Sequence, residues 1–450
     1  MRTNSPILVG LCVALCLCSC AWPQSPAVTF TFTKIVDSFE AEPGQPGYTF
    51  EISGGVAGAP GNSGTKISFV AEPIETADFQ LWTSDTSGGT LVKLVDINTP
   101  IPGGTGTFTD GYAHRIAGSR IVFLGIDDAT STEGYYSVPA AGGKIIKLVN
   151  QSTEKPDGSG TFGPTGLTAA PFNLNAGTEV FSVLGATFSI PVSGTPLAEP
   201  ANPYQYVICE SGYSGYGLTS FSSPDGSGST MVLVGSNVLG ETGIITAPLS
   251  GFTGVANACA GTELEVTNAT AIATVNTAVP ADPHHRNFDI YSFAGPLISG
   301  SNIVFQGAAP PLTTNGPYDL AGLYGQTSTT GLRKLVDSRT AVPGGTGTFQ
   351  NNGNTISGGW AISGSNVVFR GTDAASKEGI YLVKAAGGTI TKIVAVGDVL
   401  PDGRTVIGNS GSFFQQPIQA SSISGASLAV RLDFTDPVQG VGVGIYRVSW

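Results

Sequence analysis

Two similar stretches of sequence decide the fold of this chain. Residues 116–125 read Ile-Ala-Gly-Ser-Arg-Ile-Val-Phe-Leu-Gly, and residues 362–371 read Ile-Ser-Gly-Ser-Asn-Val-Val-Phe-Arg-Gly. Each leads to a second matching segment, which is Glu133-Gly-Tyr-Tyr-Ser-Val in the first case and Glu378-Gly-Ile-Tyr-Leu-Val in the second. Such self-similarity is the sequence signature of a repeat architecture.

A repeating unit emerges when the chain is aligned on its short apolar strand, which occurs seven times at intervals of 51 to 72 residues. The heptapeptide Pro-Gly-Gly-Thr-Gly-Thr-Phe also occurs twice, starting at Pro102 and at Pro343. Each unit reads as four short strands separated by turns, and four strands at this spacing predict the blades of a β-propeller. The seven apolar strands begin at Ile67, Ile121, Val180, Met231, Ile303, Val367 and Leu428.

The strands at Ile303 and Val367 are continuously apolar, which indicates a sheet buried on both faces by neighbouring blades. The chain finishes on a strand at 444–450, and the partner expected for it appears at residues 32–37. Pairing of these two segments would close a ring and remove exposed sheet edges. We therefore predict an all-β fold, a single propeller of seven four-stranded blades over residues 29–450, with an insertion at about 262–295.

The repeat resembles that of TolB-type and related bacterial β-propellers, whose blades read Ile-Ala-Phe and then Ile-Tyr-Val-Met-Asp. It is still more similar to exported propeller-like proteins with the signature Thr-x-x-Pro-Gly-Gly-Thr-Gly-Thr-Phe, which begins here at Thr99 and Thr340. The resemblance covers nearly the whole mature chain, although positions 171–260 depart from it. It implies a structural scaffold and carries over no catalytic residue.

Composition narrows the class of function. The 20 basic and 32 acidic residues give a net charge of −12, and only 12% of the residues are charged. No cluster of Lys and Arg could follow a phosphate backbone, so we expect no nucleic-acid partner. Gly 63 and Pro 29 make about a fifth of the chain, which is typical of a sequence interrupted by many turns.

The N-terminus is typical of an export signal. Arg2 precedes an apolar run that is too short to span a bilayer comfortably, and small residues permit cleavage after Ala21. We predict a signal peptide at residues 1–21 and a secreted, extracellular or periplasmic location. In the alternative, a lipobox ends before Cys20, whose lipidation would anchor the protein to the cell envelope. No other membrane attachment is expected.

Of the six cysteines, only Cys209 and Cys259 follow the signal segment. An oxidising destination favours one disulfide between them. The alternative is two separate buried thiols.

Most polar motifs have a simple structural interpretation. The Gly-rich heptapeptides lack the lysine of a phosphate-binding loop, so we read them as turns that need positive φ. Asp96 and Asn98 could offer oxygen atoms to Ca²⁺. The equivalent positions are Asp337 and Arg339, however, and the arginine breaks the ligand pattern. We expect no cofactor, with Ca²⁺ as the alternative.

The predicted insertion contains the best candidates for metal binding, Asp282, His284, His285 and Asp289. Imidazole and carboxylate groups could together bind zinc or act as acid and base. Adjacent histidines on an extended backbone point in opposite directions, however, so they do not easily share one ion. We therefore expect a solvated loop with no metal.

A carboxylate pair for glycosidase or lyase chemistry could be assembled from different blades. Glu133 and Glu378 occupy equivalent repeat positions, which favours a structural role for both. The aromatic side chains of Tyr204, Tyr206, Tyr213 and Tyr216 could stack on a glycan or belong to the core. The carboxylates in turns between strands are Asp127, Asp128, Glu133, Asp373, Glu378, Asp433 and Asp436.

The sequence identifies no catalytic residue, and the leading hypothesis is a monomeric, non-enzymatic binding scaffold for an unidentified protein or glycan. The first alternative is a secreted carbohydrate-active hydrolase or lyase with carboxylates near the propeller channel. The second alternative is a structural protein of the envelope.

Overall fold

The computed structural model describes residues 28–45, 47–52, 59–73, 78–154, 160–161, 163, 173–175, 178–183, 186–191, 205–209, 220–236, 241–248, 269–289, 292–313, 318–350, 359–407 and 418–450. The predicted signal segment with Cys20 lies outside these residues, as do Tyr204, Tyr213, Tyr216 and Cys259. Tyr206 and Cys209 are described by their backbone alone.

The described strands form antiparallel sheets that follow one another along the chain, and we number these sheets 1 to 7. Sheet 1 contains β2 (Phe50–Glu51), β3 (Gly61–Asn62), β4 (Lys66–Pro73), β5 (Gln80–Asp85) and β6 (Val92–Asp96). Sheet 2 contains β7 (Phe108–Ala117), β8 (Arg120–Asp127), β9 (Glu133–Pro139) and β10 (Ile146–Asn150). Sheet 3 contains β11 (Asn173–Asn175), β12 (Thr178–Val183), β13 (Ala186–Pro191) and β14 (Gln205–Cys209).

Sheets 4 to 6 repeat this four-stranded meander. Sheet 4 contains β15 (Ser220–Ser227), β16 (Thr230–Ser236), β17 (Thr242–Pro248) and β18 (Thr270–Thr274). Sheet 5 contains β19 (Ala294–Ser299), β20 (Asn302–Ala309), β21 (Asp319–Thr327) and β22 (Gly331–Asp337). Sheet 6 contains β23 (Trp360–Ser363), β24 (Asn366–Thr372), β25 (Glu378–Lys384) and β26 (Thr391–Ala395).

Sheet 7 joins the two ends of the described chain. It contains β27 (Thr405–Val406), β28 (Ile423–Ser424), β29 (Ser427–Asp436) and β30 (Gly440–Ser449), together with β1 (Thr31–Asp37). A short 3-10 helix, Ala420–Ser422, precedes β28. Strand β1 pairs antiparallel with β30, from Thr31 opposite Ser449 to Asp37 opposite Gly444.

Neighbouring sheets bury both faces of the strands between them. In β24 the side chain of Val368 packs with sheet 7, while those of Val367 and Phe369 pack with sheet 5. Similar buried clusters join sheet 1 to sheet 2, sheet 4 to sheet 5 and sheet 7 to sheet 1. The first strand of sheet 3 contacts those of sheets 2 and 4. The predicted all-β chain of repeated four-stranded sheets is confirmed, and its face-to-face packing is that of propeller blades.

The repeated Ser-Gly-Ser-Asn segments link one sheet to the next. The Oγ of Ser299 accepts a hydrogen bond from the backbone N–H of Gly364 at 2.8 Å. One sheet further on, the Oγ of Ser363 accepts from the N–H of Gly425 at 2.8 Å, and Asn366 donates to the carbonyl of Gly425 at 2.8 Å. The motif is therefore a contact between sheets as well as a hairpin turn.

The Pro-Gly-Gly-Thr-Gly-Thr-Phe heptapeptide closes the loop between sheets. Gly344 has a φ of 68°, in the left-handed region that favours glycine. The loop ends in a bridge between Ala341 and Thr348. The following Phe349 is buried edge-on against Tyr381, with ring centroids 5.0 Å apart. The prediction of a turn that needs positive φ is confirmed at this loop.

Candidate functional site

Alternating turns give each sheet two chemically different ends. Connections between second and third strands lie at the same end as the connections from one sheet to the next, and we call this the loop end. Connections between first and second strands and between third and fourth strands lie at the other end, which we call the turn end. All the candidate carboxylates from Asp127 to Asp436 lie at the loop end.

Arg404 is the centre of a charged network at the loop end of sheet 7. Its guanidinium lies 2.7 Å from the Asp37 carboxylate and 3.0 Å from that of Asp436. It also donates to the Tyr446 hydroxyl at 3.2 Å, and that hydroxyl donates to Asp402 at 3.0 Å. Because Asp37 ends β1 while Arg404 precedes β27, this network ties the first strand to the last sheet.

The network shifts the pKa values of its members. Burial alone would raise the pKa of Asp37, but hydrogen bonds from Lys34 and Arg404 outweigh it and hold the pKa below its usual value. Backbone N–H groups of Val438 and Gln439, together with Arg404, lower the pKa of Asp436. Both carboxylates are therefore held in their charged form. A charged carboxylate can form a structural ion pair but has no proton to donate.

A second charged group lies beside a small cavity between sheets 6 and 7. Arg370 forms an ion pair with Glu378, and both residues line a cavity of about 40 Å³, about the space of one or two water molecules. Leu432 and Val406 contribute apolar lining. The cavity therefore offers a place for water between the two sheets.

Arg431 and Asp433 are a buried ion pair, with 3.2 Å between Nη2 and Oδ1 and side chains that are each 4% exposed. Both residues also border the cavity between sheets 6 and 7. Successive side chains of a strand point to opposite faces, and Ala429 of the same strand packs in the cluster shared with sheet 1. Arg431 and Asp433 therefore face sheet 1, so Glu378 and Asp433 lie on opposite sides of sheet 7.

Other carboxylates at the loop end hold loops in place. Asp373 is 1% exposed and accepts hydrogen bonds from the backbone N–H groups of Thr346 (2.9 Å), Ala375 (2.8 Å) and Lys377 (2.9 Å). In sheet 2, Asp127 accepts from Ala129, and Asp128 from the N–H of Thr107 at 2.8 Å.

Glu133 shares its repeat position with Glu378 but has different surroundings. The second-strand position that holds Arg370 in sheet 6 holds Leu124 in sheet 2. Burial raises the pKa of Glu133. Burial thus disfavours the charged form of the Glu133 carboxyl.

The metal candidates of the predicted insertion lie in a loop between sheets 4 and 5. Asp282 accepts from the Nε of Arg286 at 2.9 Å and from the backbone N–H of His284 at 3.1 Å. The Arg286 guanidinium holds the pKa of Asp282 far below its usual value. His284 and His285 are exposed, and Asp289 accepts from the Tyr318 hydroxyl at 3.4 Å. Among the described residues, no three His, Cys, Asp or Glu side chains lie close enough to hold a metal ion.

The calcium candidate Asp96 is likewise engaged within its own turn. Its carboxylate accepts from the N–H of Asn98 at 3.1 Å and from the Thr99 hydroxyl at 2.8 Å, and it pairs with Lys93 at 3.1 Å. Asp337 accepts from Arg339 and Thr340 in the same way. The arginine preserves this turn through its backbone N–H.

Arg404 and Glu42 are two of the buried polar residues that sequence reasoning missed. Arg404 lies in a shorter loop without the heptapeptide, so no repeat position marked it. Glu42 is 2% exposed and stands where the corresponding loops have Ile101, Val342 and Leu400. It accepts from Gln80 at 3.1 Å. A carboxylate at an otherwise aliphatic repeat position is a signal that the alignment could have revealed.

Comparison with known proteins gives no family. No protein-family model matches the chain, and no curated protein sequence is similar to it. Among solved structures, the propeller domain of the Trilobed protease from Pyrococcus furiosus is 8% identical, with a TM-score of 0.39 over 76% of this chain and 99% of that one.

Two other solved structures are similar at the same low level. A putative TolB from Agrobacterium tumefaciens is 13% identical, with a TM-score of 0.29 over 75% of this chain and 80% of that one. An oligogalacturonate lyase from Vibrio parahaemolyticus is 11% identical, with a TM-score of 0.41 over 94% and 97%. These likenesses are too weak to assign an activity. In the described residues, no helix is long and apolar enough to cross a bilayer.

Proposed function

We propose that this chain is an exported β-propeller of seven blades, closed by β1, that serves as a monomeric, non-enzymatic binding scaffold for a protein or glycan. The closed ring is supported by the pairing of β1 with β30 and by the buried cluster between sheets 7 and 1. The ion pair between Arg404 and Asp37 supports it independently.

One observation carries the scaffold hypothesis: carboxylates at the loop end are engaged in holding the loops. Asp373 binds three backbone N–H groups, Asp282 binds Arg286, and Asp37 binds Arg404. These three carboxylates are therefore engaged in hydrogen bonds and ion pairs within the protein. A scaffold of this kind recognises a partner by the shape and charge of its loops.

The experiment pairs a binding assay with an activity assay on the full exported protein. Immobilised protein is incubated with cell-wall glycans and with surface proteins, and the same glycans are followed for cleavage products. We expect saturable binding that is lost on unfolding, with no cleavage. Turnover of a glycan in the absence of binding would contradict the scaffold hypothesis.

The same assay tests the alternative that the protein is a carbohydrate-active enzyme. Glu133 is the candidate acid for such an enzyme, because burial raises the pKa of this residue. If a glycan is cleaved, Glu133→Gln should abolish the cleavage. The matched control is Glu378→Gln, at the equivalent repeat position but paired with Arg370. Equal activity in both variants would exclude Glu133 as the acid.

Export implies two covalent features that can be measured. We propose a disulfide between Cys209 and Cys259 in the mature protein, so thiol titration after denaturation should find no free cysteine from this pair. Two free thiols would refute the bond. The mass of the mature N-terminus distinguishes cleavage after Ala21 from lipidation of Cys20.

A further inference from the structure

Asp225 is a buried carboxylate at the turn end of sheet 4, away from the charged groups of the loop end. When the Ser-Gly turns that follow the first strands are aligned, its position is equivalent to Leu297 in sheet 5 and Ala361 in sheet 6. All three side chains are buried, and Asp225 is 9% exposed. A carboxylate therefore stands at an interior position where the next two sheets have an aliphatic side chain.

This carboxylate forms part of the junction between sheets 4 and 5. The Oγ of Ser227 accepts a hydrogen bond from the N–H of Gly300 at 2.9 Å, which is the serine link already described between later sheets. Beside it, the Oδ2 of Asp225 accepts from the backbone N–H of Ile298 in β19 at 2.7 Å. The charge of Asp225 therefore acts directly on the contact between two sheets.

Few groups compensate the charge of Asp225. Among the described residues no Lys, Arg or His forms an ion pair with it, and Arg115 in β7 attracts it only from a distance. The strands packed against β15 are β11, β12, β16 and β19. Their titratable residue is Glu179 of β12, which is described by its backbone alone. Besides Ile298, the neighbouring N–H of Gly226 acts on the carboxylate.

Burial decides the protonation of this carboxyl, because removal from water disfavours the charged form. This effect outweighs the two backbone N–H groups and the charge of Arg115, and it raises the pKa of Asp225 to about 6. Asp373 is the contrasting case. Burial alone would raise its pKa as well, but the three backbone N–H groups that it binds outweigh burial and lower the pKa. The two buried carboxylates thus differ in how well their charge is compensated.

We propose that the junction between sheets 4 and 5 is a pH-sensitive joint, held more firmly in a mildly acidic medium than at neutral pH. A carboxyl with a raised pKa in the folded state binds its proton more tightly there than in the unfolded chain. This stabilising contribution is fully present below the unfolded pKa, near about 4, and is lost as the pH rises through about 6. About two pKa units correspond to about a hundredfold change in the unfolding equilibrium constant. This property of the ring goes beyond the scaffold function and does not depend on it.

The variant Asp225→Asn tests the joint because the amide keeps the shape and an oxygen acceptor for the N–H of Ile298 but carries no charge. Urea unfolding of the full exported protein and of the variant is measured from about pH 4 to about pH 8. We expect the variant to be the more stable protein at neutral pH, by up to about a hundredfold in the equilibrium constant. The two proteins should approach each other toward about pH 4. A variant no more stable than wild type at neutral pH, or a difference that does not change with pH, would overturn the proposal.

The matched control is Asp373→Asn, at a buried carboxylate whose pKa is lowered. The sign is reversed there, because the charged form of Asp373 is the one that the folded state favours. This variant should be less stable than wild type at neutral pH and should remain so down to about pH 4. If both asparagine variants change stability in the same direction, the effect does not come from the charge of Asp225 and the proposal fails.

Two further measurements follow the joint itself. At neutral pH, hydrogen exchange at the Ile298 amide should be slower in Asp225→Asn than in wild type, and equal exchange would overturn the proposal. Carbon-13 NMR of wild-type protein labelled at the aspartate carboxyl groups should show one resonance that titrates near about pH 6. If no aspartate resonance titrates in that range, the proposal is wrong, whether or not the variant folds.

Discussion

Replacing Arg404 by methionine tests the contact that joins the first strand to the last sheet. Methionine retains an apolar stem against Phe434, whose ring centroid lies 4.3 Å from the guanidinium carbon. It removes the charge 2.7 Å from Asp37, a residue that is 1% exposed. Breaking a buried ion pair from one side costs about 3–5 kcal/mol. Because Lys34 still faces Asp37 at 2.9 Å, we expect the lower end, about 3 kcal/mol.

This loss corresponds to a modest change in melting temperature because the chain is long. With 450 residues, the unfolding entropy is about 0.9 kcal/mol/K, so Tm should fall by about 3 °C in scanning calorimetry. Arg333→Met is the matched control, because Arg333 is exposed and donates to the Thr330 carbonyl at 3.2 Å. Its effect should stay within about 0.5 kcal/mol. Equal Tm values for the two variants would refute the reasoning.

The contact also makes the difference between wild type and Arg404→Met depend on pH. The lowered pKa of Asp37 in the folded state means that its stabilising contribution is present above its unfolded pKa, near about 4. That contribution is lost as the pH falls through the lower folded value. The difference in Tm should therefore narrow below about pH 4. A constant difference into strong acid would show that the charge of Asp37 is not involved.

Three further substitutions probe the repeat motifs, with urea unfolding as the common measurement. Ser363→Ala removes the acceptor for the N–H of Gly425 and should cost about 0.5–1.5 kcal/mol; an unchanged midpoint would show that this link adds nothing. Asp373→Ala leaves three backbone N–H groups without their acceptor and should cost about 3 kcal/mol or more, so a loss below about 1 kcal/mol contradicts its role in the loop. Gly371→Ala places a Cβ 2.5 Å from the Phe349 ring and should cost about 1–3 kcal/mol, whereas a neutral result would mean that the ring moves freely.

The repeat made the sheets predictable from sequence. Identical residues recur where the backbone or a neighbouring sheet imposes the same requirement, as at Gly344 with its positive φ and at Ser363 in the link to the next sheet. A continuously apolar strand such as that at Val367 follows from burial on both faces. These requirements are local or repeat with the chain, so alignment of the chain with itself reveals them.

The candidate site was less predictable because its contacts join residues far apart in sequence. Arg404 meets Asp37 only after β1 has paired with β30, and no local pattern indicates which carboxylate an arginine will meet. Repeat equivalence was also incomplete evidence for Glu133 and Glu378. The two differ through a diagonal neighbour on the second strand, which is Leu124 in one case and Arg370 in the other.

A disulfide between β1 and β30 tests ring closure most directly. Thr33 lies opposite Arg447, and opposite residues have Cβ atoms about 4.5–5.5 Å apart, near the range that a disulfide spans. Thr33→Cys with Arg447→Cys should therefore oxidise within one molecule, giving a monomer that migrates faster without reductant. The control is Phe32→Cys with Arg447→Cys, whose side chains lie on opposite faces of the sheet. Cross-linked dimers, or no difference between the two pairs, would contradict a ring closed by its own first strand.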